Sequence, residues 1–190
     1  MEKAICVYCA SSAQISPIYI STAKSIGQLI AQKNFALICG AGRTGLMGAT
    51  TDATIAAGGK VIGVIPQFMV DNGWHHTQIK TLEITKDMHT RKQRMAQLAY
   101  GVIALPGGCG TMEELLEIIT WKQLGLFHGN IVILNINGYY DPLIAMLTRA
   151  VDQGFMKKDH QTLWTVAKTP QEAVEIACST LKETEISSKY

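Results

Sequence analysis

Short apolar runs, each followed by a stretch with helical spacing, recur along almost the whole 190-residue chain. This alternation constrains the fold more than any other feature. Residues 4–10, 35–39, 60–65, 101–105 and 131–136 read as strands, with shorter candidates at 81–85 and 163–167. Helical patterns occupy 17–32, 45–57, 87–100, 111–126, 141–153 and 169–182. Local signals agree with these limits. Gly58-Gly59 stops the second helix, Asp87 is placed as an N-cap, and Pro142 and Pro170 fall where a first helical turn tolerates proline. Parallel strands need crossovers, and helices supply them. The expected fold is therefore α/β: a doubly wound parallel sheet with helices on both faces. One domain is expected over residues 1–182, with 183–190 a frayed C-terminal tail. The polar segment 67–80 is expected to be an irregular loop.

A net charge of +2 leaves no electrostatic footprint for nucleic acid. No apolar run reaches the roughly 18 residues of a membrane span. The N-terminus leads straight into a strand pattern without the parts of a signal peptide, so a cytoplasmic protein is expected. Five cysteines suit a reducing compartment. Cys6 and Cys9 form a C-x-x-C, but within a strand residues three apart point to opposite faces, so they read as buried thiols.

Sheets of this kind bind ligands beyond the carboxyl ends of their strands. Those ends carry Ser11-Ser12, residues 40–45, Pro66 and residues 106–111. The last is the most informative. In Leu105-Pro106-Gly107-Gly108-Cys109-Gly110-Thr111-Met112-Glu113-Glu114 a strand breaks into a glycine turn and feeds a helix start. Glycines admit a ligand close to the backbone N–H groups, and the helix dipole favours an anion there. A phosphorylated substrate is expected at this turn. Gly40-Ala41-Gly42-Arg43-Thr44-Gly45 matches the dinucleotide fingerprint G-x-G-x-x-G. That use needs an acidic residue about 20 positions on, at the next strand end. Val64-Ile65-Pro66-Gln67 has none, which leaves a turn holding part of a smaller nucleotide or a structural turn. No G-K-[ST] follows either loop, which argues against a P-loop.

Helical spacing aligns Met88, Met95, Leu98 and Ala99 as one apolar stripe, with Arg91 in its middle. A buried arginine needs an anion, from a local salt bridge or from a ligand. Arg91 and Lys92 also oppose the dipole of a first helical turn. His89 reads as a structural residue or one that supports the site from behind. Glu114 has two readings: the reaching member of a capping box with Thr111, or a carboxylate near the anion site doing chemistry. Its spacing shares a face with Ile118 and Trp121, whereas Glu113, Glu117 and Thr120 make a polar face. His75-His76 lacks a spaced partner and is weak as a metal pair. Ser11 and Ser12 lack a nucleophile-elbow setting.

Pro106 to Glu114 matches P-G-G-x-G-T-x-x-E. With Met88-His89-Thr90-Arg91-Lys92 and Gly45-Leu46-Met47-Gly48, the chain resembles the Lonely Guy (LOG) family over roughly residues 5–155. These are cytokinin riboside 5′-monophosphate phosphoribohydrolases, often labelled "lysine decarboxylase-like". The resemblance implies a Rossmann-like homodimer that hydrolyses the N-glycosidic bond of a purine nucleoside 5′-monophosphate, with no metal or organic cofactor. It puts Arg91 and Glu114 at catalytic positions. It puts Lys92, Gly108, Cys109, Gly110, Thr111, Met112, Glu113 and Thr120 at nucleotide-binding ones; Gly107, and Ser11, Ser12 and Gly42 at the neighbouring strand ends, are also expected to bind substrate. Cys109 replaces a common aromatic, and Gly73 stands where many members carry a substrate-binding glutamate. The rival expectation is a non-catalytic nucleotide-binding or carrier module of the same fold. A lysine decarboxylase would need pyridoxal phosphate on a buried lysine in a far larger enzyme.

Overall fold

Successive side chains of strand β1 (Ala4–Tyr8) enter two different cores in the computed structural model, which describes residues 3–180. Ile5 and Val7, with Cys9 beyond, pack into one core; Ala4, Cys6 and Tyr8 pack into the other. The strand period of two therefore separates the two cysteines, and burial pushes both thiols up from their ordinary range. The C-terminal helix ends at Cys178, short of the expected 182, because the backbone turns extended at Ser179 (φ −73, ψ 149); the expected tail at 183–190 lies outside the described residues.

Seven strands make one parallel sheet in the order β4-β3-β2-β1-β5-β6-β7. The others are β2 (Ala36–Cys39), β3 (Val61–Pro66), β4 (Thr81–Thr85), β5 (Gly101–Ala104), β6 (Asn130–Leu134) and β7 (Thr165–Ala167). Helices α1 (Pro17–Gln32), α2 (Gly45–Ala56) and α7 (Pro170–Cys178) cover one face. Helices α4 (Met88–Leu98), α5 (Cys109–Gln123) and α6 (Asp141–Asp152) cover the other. Ile5, Leu37, Ile38, Ile103 and Leu105 are fully buried. Each such side chain contributes about 1.5–3 kcal/mol, so the strand ends that carry the loops are firmly seated. The chain winds outward from β1 to β4, then returns to start β5 on the other side of β1. The switch point thus lies between the carboxyl ends of β1 and β5, where such sheets bind ligands.

Three expectations need correction. Residues 67–80 are not wholly irregular: α3 (Gln67–Asp71) follows Pro66 directly, and Gly73, at φ +68, sits in the left-handed conformation that closes a helix. Met88 is exposed, so the buried stripe of α4 begins one turn later, with Arg91, Lys92, Met95 and Ala96 inside. Helix α5 begins at Cys109, two residues before Thr111. Asp87 does cap α4, accepting from the Thr90 amide at 2.8 Å. No helix among the described residues is long and apolar enough to cross a membrane.

Candidate active site

Two charged side chains meet at the switch point inside the protein. Arg91, on the first turn of α4, donates from Nη1 to Oε1 of Glu114 on α5 at 2.9 Å. Both side chains are less than a tenth exposed. Arg91 Nε also donates to the Val64 carbonyl at the end of β3, at 3.1 Å. A cation buried this deeply is stable only because carboxylate and carbonyl replace its water. Burial pushes the Glu114 carboxyl above its ordinary range, and the neighbouring Arg91 opposes that rise.

The capping-box reading of Glu114 falls. Gly108 is the N-cap of α5, Thr111 lies inside the first turn, and the carboxylate points to Arg91. The salt-bridge reading of Arg91 holds in a form spacing could not supply, since its partner is 23 residues away.

The glycine turn lies beside this pair. A Cβ on Gly107 would sit 2.1 Å from Thr111 Oγ1, so Gly107 is dictated by the packing of the threonine. A Cβ on Gly108 or Gly110 would meet nothing within 4 Å. Those two positions therefore face open space, where a ligand can approach. With glycine as N-cap, no side chain caps the first N–H groups of α5. These orphan donors and the helix dipole equip the turn to receive an anion. Cys109 is an exposed free thiol within it. The Met112 amide is used by the Gly108 carbonyl at 3.0 Å.

The turn at residues 40–45 supports the pair from the other side. A Cβ on Gly40 would fall 1.6 Å from Arg91 Nη2, so only glycine leaves room for the guanidinium. Gly42 donates its amide to Met47 Sδ at 3.0 Å and bridges to His75. Thr44 Oγ1 donates to the Ser11 carbonyl at 2.6 Å, and Ser12 Oγ accepts from the Gln14 amide. Ser11 and Ser12 are exposed at the rim. His76 accepts from the Gln78 amide at Nδ1, so its Nε2–H faces Asp52 at 3.0 Å. Among the described residues no group of three or more His, Cys, Asp or Glu could hold a metal.

Of the other expected binding residues, Lys92 is tied to α5 and Thr120 stands away from the turn. Lys92 Nζ donates to Glu113 at 2.7 Å and to Glu117 at 3.3 Å. Burial works against its charge, but the two carboxylates outweigh it and hold the ammonium pKa above its ordinary value. Thr120 is exposed, donates to the Leu116 carbonyl, and stands about 14 Å along α5 from Thr111. His89 is exposed. A separate cavity of about 450 Å³, lined by Tyr100, Leu126, Phe127 and Asn130, opens where β5 and β6 begin and contains none of these residues.

Sequence reading missed Tyr139 and Tyr140. Tyr139 Oη donates to the Gly107 carbonyl and Tyr140 Oη to the Leu105 carbonyl, both at 2.6 Å. The available signal was their place after β6, on the same edge of the sheet as the other strand ends.

A family model described as "Possible lysine decarboxylase" matches residues 47–177. A cytokinin riboside 5′-monophosphate phosphoribohydrolase of Arabidopsis thaliana is 39% identical over 172 residues, 90% of this chain and 79% of that protein. One from Oryza sativa subsp. japonica is 38% identical over 172 residues, 90% of this chain and 71% of that protein. Among solved structures, a molybdenum cofactor carrier protein of Chlamydomonas reinhardtii matches with a TM-score of 0.71 at 20% identity, over 92% of this chain and 95% of that one. At that identity the likeness concerns the Rossmann-like fold alone.

Proposed function

This chain belongs to the LOG family, and from that premise we propose that it hydrolyses a purine nucleoside 5′-monophosphate, AMP or an N6-prenylated relative. Water adds at C1′, the N-glycosidic bond breaks, and the products are free base and ribose 5-phosphate. The observation that carries this reading is the buried Arg91–Glu114 pair beside an uncapped glycine turn. The turn receives the 5′-phosphate through its N–H groups. Glycosidic cleavage develops positive charge on the sugar. Glu114 stabilises that charge as a carboxylate and orients the attacking water. Arg91 holds Glu114 in place, and its Nη2, against Gly40, hydrogen-bonds the departing base. Proton donation by arginine is disfavoured by its very high pKa.

Lysine decarboxylation fits poorly. A Schiff base needs a neutral amine. The buried Lys92 is held charged by Glu113 and Glu117. Lys122, whose pKa burial lowers, sits near the far end of α5 from the turn.

Homodimerisation is part of the proposal. Ile84, Met88, Leu116 and Leu126 expose apolar surface on β4, α4 and the α5 region. Light scattering should give about twice the 20.7 kDa chain mass. A cytoplasmic setting is proposed from five free thiols.

The test is incubation with AMP, isopentenyladenosine monophosphate, dAMP and GMP, followed by assay of free base and ribose 5-phosphate. Equimolar release is expected, with Glu114→Gln slower by about 10²–10³-fold. Nucleotide binding without release, as a carrier would give, or full activity in Glu114→Gln, overturns the reading.

A further inference from the structure

We propose that Tyr139 is a positioning residue that aims the phosphate-binding turn, an inference that rests on the reading of residues 106–111 as the phosphate end of the site. Three consecutive carbonyls of the turn are taken by protein donors. Tyr140 Oη holds Leu105 O at 2.6 Å, the Ala10 amide holds Pro106 O at 3.3 Å, and Tyr139 Oη holds Gly107 O at 2.6 Å. A trans peptide is planar, and its N–H points opposite to its C=O. No cis peptide occurs among the described residues. The Tyr139 bond therefore fixes the direction of the Gly108 N–H, which belongs to the same peptide. Gly108 is the exposed N-cap of α5, beside which a Cβ would meet nothing. Its N–H is aimed away from Tyr139, on a residue that is itself exposed.

The tyrosine is itself held. Its ring meets Tyr19 edge-on at 6.1 Å and Tyr140 at 5.1 Å. The loop before it turns through Asn137 and Gly138, at φ 51 and 70. Asn135 braces the loop by accepting from the Tyr140 amide at 2.8 Å and donating to Asp141 at 2.7 Å. Without the hydroxyl the Gly107–Gly108 peptide can rotate, because its glycines resist rotation least. A ligand would then have to order it on binding.

The two tyrosines separate the roles. Tyr140 is buried, and its bond ties down a buried strand end. Tyr139 is 41% exposed, so its hydroxyl can be removed at little cost to the fold.

The experiment is Tyr139→Phe, read by inorganic phosphate affinity in calorimetry, by KM and kcat for AMP, and by thermal melting. Phosphate affinity should fall about 5–10-fold and KM rise by the same factor. The value of kcat should stay within about twofold and the melting temperature should hold, whereas Tyr140→Phe should lower the melting temperature. Unchanged phosphate affinity and KM in Tyr139→Phe would overturn the proposal, whatever the melting temperature did. So would wild-type protein that fails to bind phosphate. Wild-type protein that binds phosphate but releases no base would overturn the hydrolase reading instead, and the affinity ratio would still decide the role of Tyr139.

Discussion

The two glycine turns, at residues 40–45 and 106–110, look alike in composition and do different work. In the first, glycine is demanded from inside. Gly40 makes room for the Arg91 guanidinium, and Gly45, at φ +64, would drive a Cβ to 2.4 Å from the Ser12 carbonyl. In the second, only Gly107 is demanded from inside, by Thr111, while Gly108 and Gly110 face open space. The first turn is a joint that seats a charged side chain. The second presents backbone donors outward. A fingerprint of glycines therefore identifies a ligand site only once the contacts of each glycine are known.

The strongest way to break this contrast is to remove what the first turn seats. Arg91→Ala leaves Glu114 buried without its cation, which should cost about 3–5 kcal/mol in chemical denaturation. Turnover should fall about 10²–10³-fold. Gly40→Ala comes next. A Cβ 1.6 Å from Nη2 must displace a guanidinium pinned by two hydrogen bonds. A loss of about 1–3 kcal/mol is expected on denaturation, and about a hundredfold lower kcat from the displaced arginine. Gly108→Ala sharpens the contrast from the other side. Its φ of −83 suits alanine and its surroundings are open, so stability should change by no more than about 0.5 kcal/mol. Phosphate affinity should nevertheless fall roughly tenfold, because the new methyl enters the ligand's space. Equal stability losses for Gly40→Ala and Gly108→Ala would end the distinction.

The smallest effect is in pH. Burial raises the Glu114 pKa, and in the proposed mechanism the carboxylate is the active form. Activity should therefore fall as pH drops through that raised value. The acidic limb of kcat should lie above the roughly 4.3 of an ordinary glutamate. A limb at or below that value would contradict burial as the dominant influence on Glu114.

Much of the fold was legible because each element reports itself locally. The helix at residues 17–32 and the strand at 81–85 were placed to the residue, since Pro17 and the change of hydrophobic period mark their limits. Arg91 was visible as a charge on an apolar face. What failed depended on contacts. Thr111 and Glu114 carry a capping-box spacing, yet α5 starts two residues early, and a buried arginine claims the glutamate. Spacing did not reveal that Glu113 and Glu117 come within reach of Lys92 once α4 and α5 pack together. Tyr139 and Tyr140 were marked only by their place after β6, because a tyrosine before a helix does not reveal which carbonyl its hydroxyl will reach.

The sequence by itself determined the alternation of strands and helices, the parallel sheet and the glycine turn that ends β5. Those follow from side-chain period and backbone freedom within a few neighbouring residues. Only the tertiary structure decided that Arg91 meets Glu114 across 23 residues, that Tyr139 reaches Gly107 across 32, and that Gly40 exists to admit a guanidinium. The physical reason is that buried charges and carbonyls take whichever partner packing brings within hydrogen-bond distance. The turn at residues 106–110 thus presents backbone donors by its local chemistry, while the carbonyls of Leu105 and Gly107 are held by tyrosines far along the chain.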